Sequence, residues 1–347
     1  MVCAASKQVE TKFETKFSRA GCLITRHSAP QRNIRTKLTL ASRPPRHAGR
    51  YRSIRLRVFV TGGTGVIGSA VVRTLIAHGH RIVALARSEA AATRLEARGA
   101  TPMLGDISSP QAWVAGLPGI DAVIHTACDF TSDMGPVELR MLNALLPALA
   151  ARPGRIRFIY TGGCWLFGAT NDTIATERAA FRPLPAFAWM VPHLQRVLAS
   201  HEIHGIVIHP AMVYEPDGGV FRRFARETFN GEAIRIVAGG DVRWPLVHRN
   251  DLAALYALAL DRAPAGSSYI GAAIEGCPVG RIARAFARRS GGPSEPTIIS
   301  ADAIATELGE WARGYALDQR LSGGKARQEL GWRPKHLDPE AEIAALA

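Results

Sequence analysis

Three glycines, at 62, 65 and 68 in Thr61-Gly62-Gly63-Thr64-Gly65-Val66-Ile67-Gly68, set a G-x-x-G-x-x-G spacing. In such a loop one glycine permits a tight turn, another lets the backbone approach a pyrophosphate, and the last allows close helix–strand packing. The amides that open the following helix face the phosphates. Gly62, Gly65, Val66, Ile67 and Gly68 are therefore candidate contacts for a dinucleotide cofactor. A discriminating residue is expected about 20 positions further on. Arg87 stands there, in Ala84-Leu85-Ala86-Arg87-Ser88. An acid at this place bonds the ribose 2′-hydroxyl of NAD, whereas a cation suits the 2′-phosphate of NADP, so the expected cofactor is NADP(H) in preference to NAD(H). Asp106 and Ile107 are candidates for the adenine; the alternative for Asp106 is a turn carboxylate capping the segment at Ser108–Pro110.

These residues need a scaffold, and the hydrophobic pattern describes one. Short apolar runs at Arg57–Thr61, Arg81–Ala86, Thr101–Leu104, Ala122–His125, Arg155–Tyr160 and Gly205–His209 read as buried strands. Helical spacing occupies Val66–His78, Ala91–Arg98, Val137–Ala150 and part of Leu184–Ala199. Strands alternating with helices argue for a parallel sheet covered on both faces. Beyond His209 the pattern loosens, with helices expected at Gly219–Phe229, Asp251–Leu260, Arg281–Arg289, Ala301–Arg313 and Ser322–Leu330. The expected fold is α/β: a Rossmann-type doubly wound parallel sheet over 56–210, and a smaller C-terminal substrate lobe over 211–347 with some segments returning to the sheet. Asn250 or Asp251 is expected to cap the helix Leu252–Leu260, and His248 to bond across the lobe junction.

Composition bounds the function. At 347 residues, 47% hydrophobic and 21% charged, the chain suits a globular protein rather than a disordered one. No run approaches the length of a spanning helix. The formal charge of +14 would suggest a polyanion binder. Its distribution argues otherwise: 14 basic residues face only Glu10 and Glu14 between Met1 and Arg57, which leaves 29 basic and 27 acidic residues for the body. No nucleic-acid or membrane partner is expected for that body. The five scattered cysteines form no C-x-x-C pair, so no metal site or disulfide framework is expected, which fits a reducing cytoplasm.

With the glycine loop, further stretches resemble the extended short-chain dehydrogenase/reductases, the NAD-dependent epimerase/dehydratase group, from about Arg57 to the C-terminus. Gly105-Asp106-Ile107 looks like the family's adenine segment. Val123-Ile124-His125-Thr126-Ala127 looks like its fourth-strand motif, placing Thr126 and Ala127 near the phosphate and nicotinamide ribose. His209-Pro210-Ala211-Met212-Val213-Tyr214 is similar to its R-P-x-x-V-Y, with His for Arg and Pro210 as a cofactor contact. Trp244-Pro245-Leu246-Val247-His248-Arg249-Asn250-Asp251-Leu252-Ala253 and Leu330-Gly331-Trp332-Arg333-Pro334 look like its V-H-x-x-D-L-A and L-G-W-x-P segments. The resemblance implies a homodimer, built from the helices Val137–Ala150 and Leu184–Ala199, and NAD(P)-dependent oxidoreduction or epimerisation of a small carbonyl or hydroxyl substrate.

The family's catalytic residues do not carry over. Its Ser/Thr position is Gly163, its Tyr position Trp189 and its Lys position His193; no lysine occurs between Lys37 and Lys325. Substitutes are His193, whose ordinary pKa suits proton transfer or which holds the ribose as the Lys would, Thr161 as a hydroxyl, and Tyr214 from the loop after the sixth strand. Cys164 reads as a small buried thiol rather than a nucleophile. Arg222, Arg223 and Arg226 read as a solvated face rather than a site for an anionic substrate. The alternative from another class is a catalytically silent NADP(H)-binding sensor or regulatory protein. Pocket residues are expected from the loops Asp129–Pro136, Ala169–Ala188 and Ala211–Trp244.

The basic extension over 1–55 admits four readings: an organelle transit peptide, a disordered polyanion-binding arm, a solvated extension without a role, or a misassigned start codon. The last is preferred, because Leu56 runs straight into the first strand and Leu is what an alternative start codon would encode internally. A secretory signal is not expected, as no apolar segment follows the first basic residues. Mass spectrometry of the native N-terminal peptide is expected to begin near Leu56; a peptide covering Ser6 to Lys37 would overturn the expectation.

Overall fold

The computed structural model describes residues 55–130, 133–293 and 295–346. The extension up to residue 54, and Thr131 and Ser132 of the loop Asp129–Pro136, lie outside the described residues. The first half alternates strand and helix: β1 (Arg57–Thr61), α1 (Val66–Ala77), β2 (Arg81–Ala86), α2 (Glu89–Glu96), β3 (Thr101–Leu104), β4 (Ala122–His125), α3 (Met134–Ala150), β5 (Arg157–Thr161), α4 (Met190–Ala199) and β6 (His204–Pro210). Val58, Phe59 and Val60 are all fully buried, so β1 is covered on both faces, as parallel sheets are.

The remaining chain adds β7 (Met212–Glu215), β8 (Gly218–Gly219), α5 (Arg222–Phe229), β9 (Arg235–Val237), β10 (Arg243–His248), α6 (Arg249–Arg262), β11 (Ser267–Gly271) and β12 (Ile274–Pro278). After these come α7 (Val279–Ser290), β13 (Thr297–Ile299), α8 (Ala301–Leu308), α9 (Gly324–Leu330) and α10 (Pro339–Ala344). The main sheet runs β11-β6-β5-β4-β1-β2-β3, with every pair parallel. This is the doubly wound order, which reverses between β1 and β4. From beyond residue 211, β11 completes the sheet and α6 packs on α1. Two further sheets, β12-β10-β7-β8 and β13-β9, lie outside the main sheet. Among the described residues no helix is long and apolar enough to cross a membrane.

Several expected boundaries move for local reasons. The helix expected from Gly219 starts at Arg222. Gly219 has φ of +59°, and a Cβ there would stand 2.3 Å from the Val213 carbonyl oxygen, so Gly218–Gly219 pairs with β7 instead. The single helix expected over Ala301–Arg313 breaks at Gly309, φ +102°, and continues as a 3-10 turn over Glu310–Ala316. Helix α6 starts at Arg249, and its cap is neither Asn250 nor Asp251: His248 Nδ1 accepts from the Asn250 amide at 3.3 Å.

Asp251 has a different task. Its buried carboxylate accepts from the amides of Lys335 and His336 at 2.9 and 2.8 Å, while its carbonyl accepts from Trp332 Nε1 at 2.8 Å. The segment after α9 is thereby fastened to the start of α6. Asp251→Ala leaves both amides without their acceptor. We expect a loss of about 2–4 kcal/mol in chemical denaturation; a loss below about 0.5 kcal/mol, the usual range for an inert surface site, would refute this anchoring role.

Candidate functional site

The loop between β1 and α1 is closed by backbone contact. Gly62 has φ of +73°, and its carbonyl accepts from the Gly65 amide at 3.0 Å. A Cβ at Gly68 would stand 2.2 Å from the Gly62 oxygen, and one at Gly62 would stand 2.7 Å from the Ala127 nitrogen. Thr126 Oγ1 donates to the Thr61 carbonyl at 2.7 Å, tying the end of β4 to the end of β1. Gly65 caps α1 without a side chain, so the first amides of the helix keep their donors free. This side-chain-free cradle at a helix N-terminus, in the crevice where the strand order reverses, fits a dinucleotide pyrophosphate.

Arg87 is exposed at the end of β2 and makes no hydrogen bond or ion pair among the described residues. Asp106 Oδ1 accepts from the Ser108 amide at 2.7 Å, and its carbonyl accepts from Trp113 Nε1 at 2.8 Å, so its side chain shapes the turn. Ile107, beside it, is half-buried.

A cavity of about 620 Å³ opens from this cradle. Val66, Ile67, Thr126, Ala127, Thr161 and Pro210 line it; Gly163, Trp189 and Met190 also face it. Thr161 Oγ1 donates to the His125 carbonyl at 2.6 Å and lies 2.6 Å from the Tyr256 hydroxyl, so its proton is engaged within the sheet. Tyr214 does not line the cavity. Its ring packs against Phe221 and His248, and its hydroxyl reaches the His336 carbonyl at 3.5 Å. Burial, with nearby carboxylates, raises its pKa. His193 is buried behind Trp189, with ring centroids 5.6 Å apart, and does not line the cavity either. Its Nδ1 has no hydrogen-bond partner among the described residues. Burial lowers its pKa, partly offset by Glu138.

The polar residues that do meet at the cavity floor escaped the sequence reading. Glu138, on α3, is only 3% exposed. Its carboxylate lies 3.0–3.1 Å from His125 Nε2, and His125 Nδ1 lies 2.6 Å from Thr61 Oγ1. Tyr160 stacks on the His125 ring at 5.7 Å. Burial, and then the neighbouring Glu138 carboxylate, hold the Tyr160 hydroxyl protonated well beyond the ordinary range. Cys128 beside them is pushed up to about 12 by burial and the neighbouring carboxylates. Glu138, His125 and Tyr160 all line the cavity. The available signal was a charge within the apolar stripe Met141, Leu142, Leu145 and Leu149 of the third helix, because residues three and four apart share a face.

Three further side chains are clarified. Cys164 is an inert thiol, pushed up to about 12 by burial. Arg222 is exposed, as a solvated face requires, and also lines the cavity, whereas Arg223 pairs with Glu227 at 3.0 Å. His209, standing where the family motif has Arg, is buried and held neutral, its pKa lowered to about 4 by burial.

The model of the NAD dependent epimerase/dehydratase family matches residues 58–271. An uncharacterised protein of Schizosaccharomyces pombe is 31% identical over 84% of this chain and 99% of its own length. A Stigmatella aurantiaca protein named 4-hydroxy-2-methyl-3-oxo-4-farnesyl-3,4-dihydroquinoline-1-oxide ketoreductase is 26% identical over 65% of this chain and 70% of its own. Among solved structures, a double mutant of the Streptomyces venezuelae dTDP-glucose 4,6-dehydratase DesIV superposes with a TM-score of 0.70. That structure is 20% identical and covers 83% of this chain and 95% of its own, a likeness of fold alone. With the glycine cradle, the sheet order and the matched span in agreement, the chain belongs to the NAD-dependent epimerase/dehydratase family, on a Rossmann-type sheet.

Proposed function

We propose that the protein is an NADP(H)-linked oxidoreductase that interconverts a carbonyl and a hydroxyl group, with His125, Glu138 and Tyr160 managing the proton in place of the family's Tyr and Lys. The observation that carries the reading is one cavity joining the cofactor cradle to a buried, hydrogen-bonded acid–base cluster. A silent binding protein has no need of this arrangement, since burying a carboxylate–imidazole pair is costly. The ketoreductase name of the Stigmatella relative supports overall oxidoreduction over epimerisation.

When bound, the nicotinamide supplies or accepts the hydride. The chain's own residues deal with the proton. In the reductive direction the Tyr160 hydroxyl gives its proton to the substrate oxygen. The His125–Glu138 pair behind it returns a proton to the phenol, and the pair is refilled from solvent. Thr61 fixes the His125 ring through Nδ1. His193, behind Trp189 and within electrostatic reach of Glu138, tunes the pair as a positioning residue. Arg87, exposed and unpaired among the described residues, receives the 2′-phosphate.

Two measurements test this. Fluorescence titration is expected to give tighter binding of NADPH than of NADH, and Arg87→Ala is expected to weaken NADPH by about tenfold, or ~1.4 kcal/mol. Tighter NADH binding by the unaltered protein would overturn the NADP preference. Glu138→Gln is expected to lower kcat by about 10²–10⁴-fold, the range of general acid–base catalysis, with NADPH affinity held. Unchanged kcat and an unchanged pH profile in this variant would remove the cluster from the mechanism.

A further inference from the structure

The end of the cavity away from the glycine cradle is walled by aromatic rings. Phe130, Trp165, Phe187, Trp189, Trp311 and Tyr315 all line it. They come from four separate places: the loop after β4, the turn after β5, the segment entering α4, and the 3-10 turn Glu310–Ala316. Trp165 and Trp311 stack with centroids 6.1 Å apart and planes 28° apart, and Tyr315 meets both edge-on at 5.6 and 5.9 Å. Phe130 meets Trp311 at 5.3 Å yet remains 50% exposed.

One backbone position is shaped around this wall. A Cβ at Gly314 would stand 2.3 Å from the Trp165 ring, so only glycine there lets the indole lie against the turn. The wall keeps polar handles as well. Trp165 Nε1, Trp311 Nε1 and the Tyr315 hydroxyl make no hydrogen bond among the described residues. Large half-exposed rings with unused edges, converging from four segments, form a surface suited to a flat ring system.

The charge inventory narrows the ligand. Among the described residues Arg222 is the sole lysine or arginine lining the cavity, and it is exposed and has no ion-pair partner. A diphosphate would call for several charge-assisted donors; a single carboxylate needs one arginine. Glu138, on the cavity floor, disfavours further negative charge near the reacting centre.

We propose that the substrate is a flat aromatic carbonyl compound bearing one acidic group, its ring laid against the wall formed by Trp165, Trp311 and Tyr315 and its carboxylate at Arg222. This rests on the oxidoreductase reading for turnover, while binding stands independently of it. The reacting carbonyl gains hydride at carbon and the Tyr160 proton at oxygen, as above.

The full chain, loaded with NADP⁺ or NADPH, is titrated by tryptophan fluorescence and calorimetry with four probes: para-carboxybenzaldehyde, benzaldehyde, cyclohexanecarbaldehyde and UDP-glucose. We expect para-carboxybenzaldehyde to bind at least about tenfold more tightly than cyclohexanecarbaldehyde and than UDP-glucose. Arg222→Ala abolishes its advantage over benzaldehyde. Trp311→Leu and Gly314→Ala each weaken both aromatic probes by about tenfold without changing NADPH affinity, and agreement between the two guards against one variant failing to fold. Equal binding of the cyclohexane probe, or tightest binding of UDP-glucose, overturns the inference. Tight aromatic binding with no NADPH consumption upholds the site and counts against the oxidoreductase reading instead.

Discussion

The molecule is organised by a backbone contact that admits no side chain. Where the sheet order reverses, between β1 and β4, the Gly62 turn lies against Thr126 and Ala127, while Gly68 lies against the Gly62 carbonyl. A single methyl group at either position would meet backbone rather than a movable side chain. That closeness seats the N-terminus of α1 at the crevice, and the crevice then decides where everything else must face. His125, Thr126 and Ala127 follow β4 into it, Tyr160 to Gly163 follow β5, and Pro210 to Val213 follow β6. One end of a parallel sheet thus gathers residues from distant parts of the chain without any of them being neighbours in sequence.

Within that crevice the electrostatics have been rebuilt rather than simply lost. A catalytic stretch without lysine has no ammonium to place beside a phenol. Instead a carboxylate enters from α3 and an imidazole from β4, at 3.0 Å from each other. Glu138 acts on Tyr160 in the opposite sense to a lysine: it holds the phenol protonated. A phenol held protonated is suited to giving a proton, and it needs a partner that can return one, which the imidazole–carboxylate pair provides. Burying a carboxylate–imidazole pair adds little net stability, and both groups line the cavity.

The glycine loop and the alternation of strands were legible in the sequence because both are local: a turn that needs glycines, and runs buried on both faces. What escaped was set by contact. Met212–Glu215 has only four residues, Arg243–His248 and Ile274–Pro278 are interrupted by proline or glycine, and all three pair with strands far along the chain, so no period announces them. Glu138 and His125 were each visible, the first as a charge in an apolar helix and the second as one residue of a strand motif. Their pairing depends on α3 crossing the end of β4. Arg222 reads as a member of a basic helix face and is exposed as such; that it also borders the cavity depends on where α5 starts after the Gly218–Gly219 turn. Asp251 carries the sequence marks of a helix cap, yet its partners are amides 84 and 85 residues away.

The glycine pair after β5 stands where the family carries a hydroxyl, and packing accounts for only one of the two glycines. His209 lies under this turn, and a Cβ at Gly162 would stand 2.4 Å from its Nδ1, so the buried imidazole requires glycine at 162. No such demand acts on 163, where a Cβ would meet nothing within 4 Å and the backbone is extended. Packing therefore permits a serine at 163 and does not select against it. Trp189, at the tyrosine position, lines the cavity, and Tyr160, His125 and Glu138 line it as well. Gly163 and Trp165 line the same cavity, and glycine leaves the space beside this stretch of the lining open.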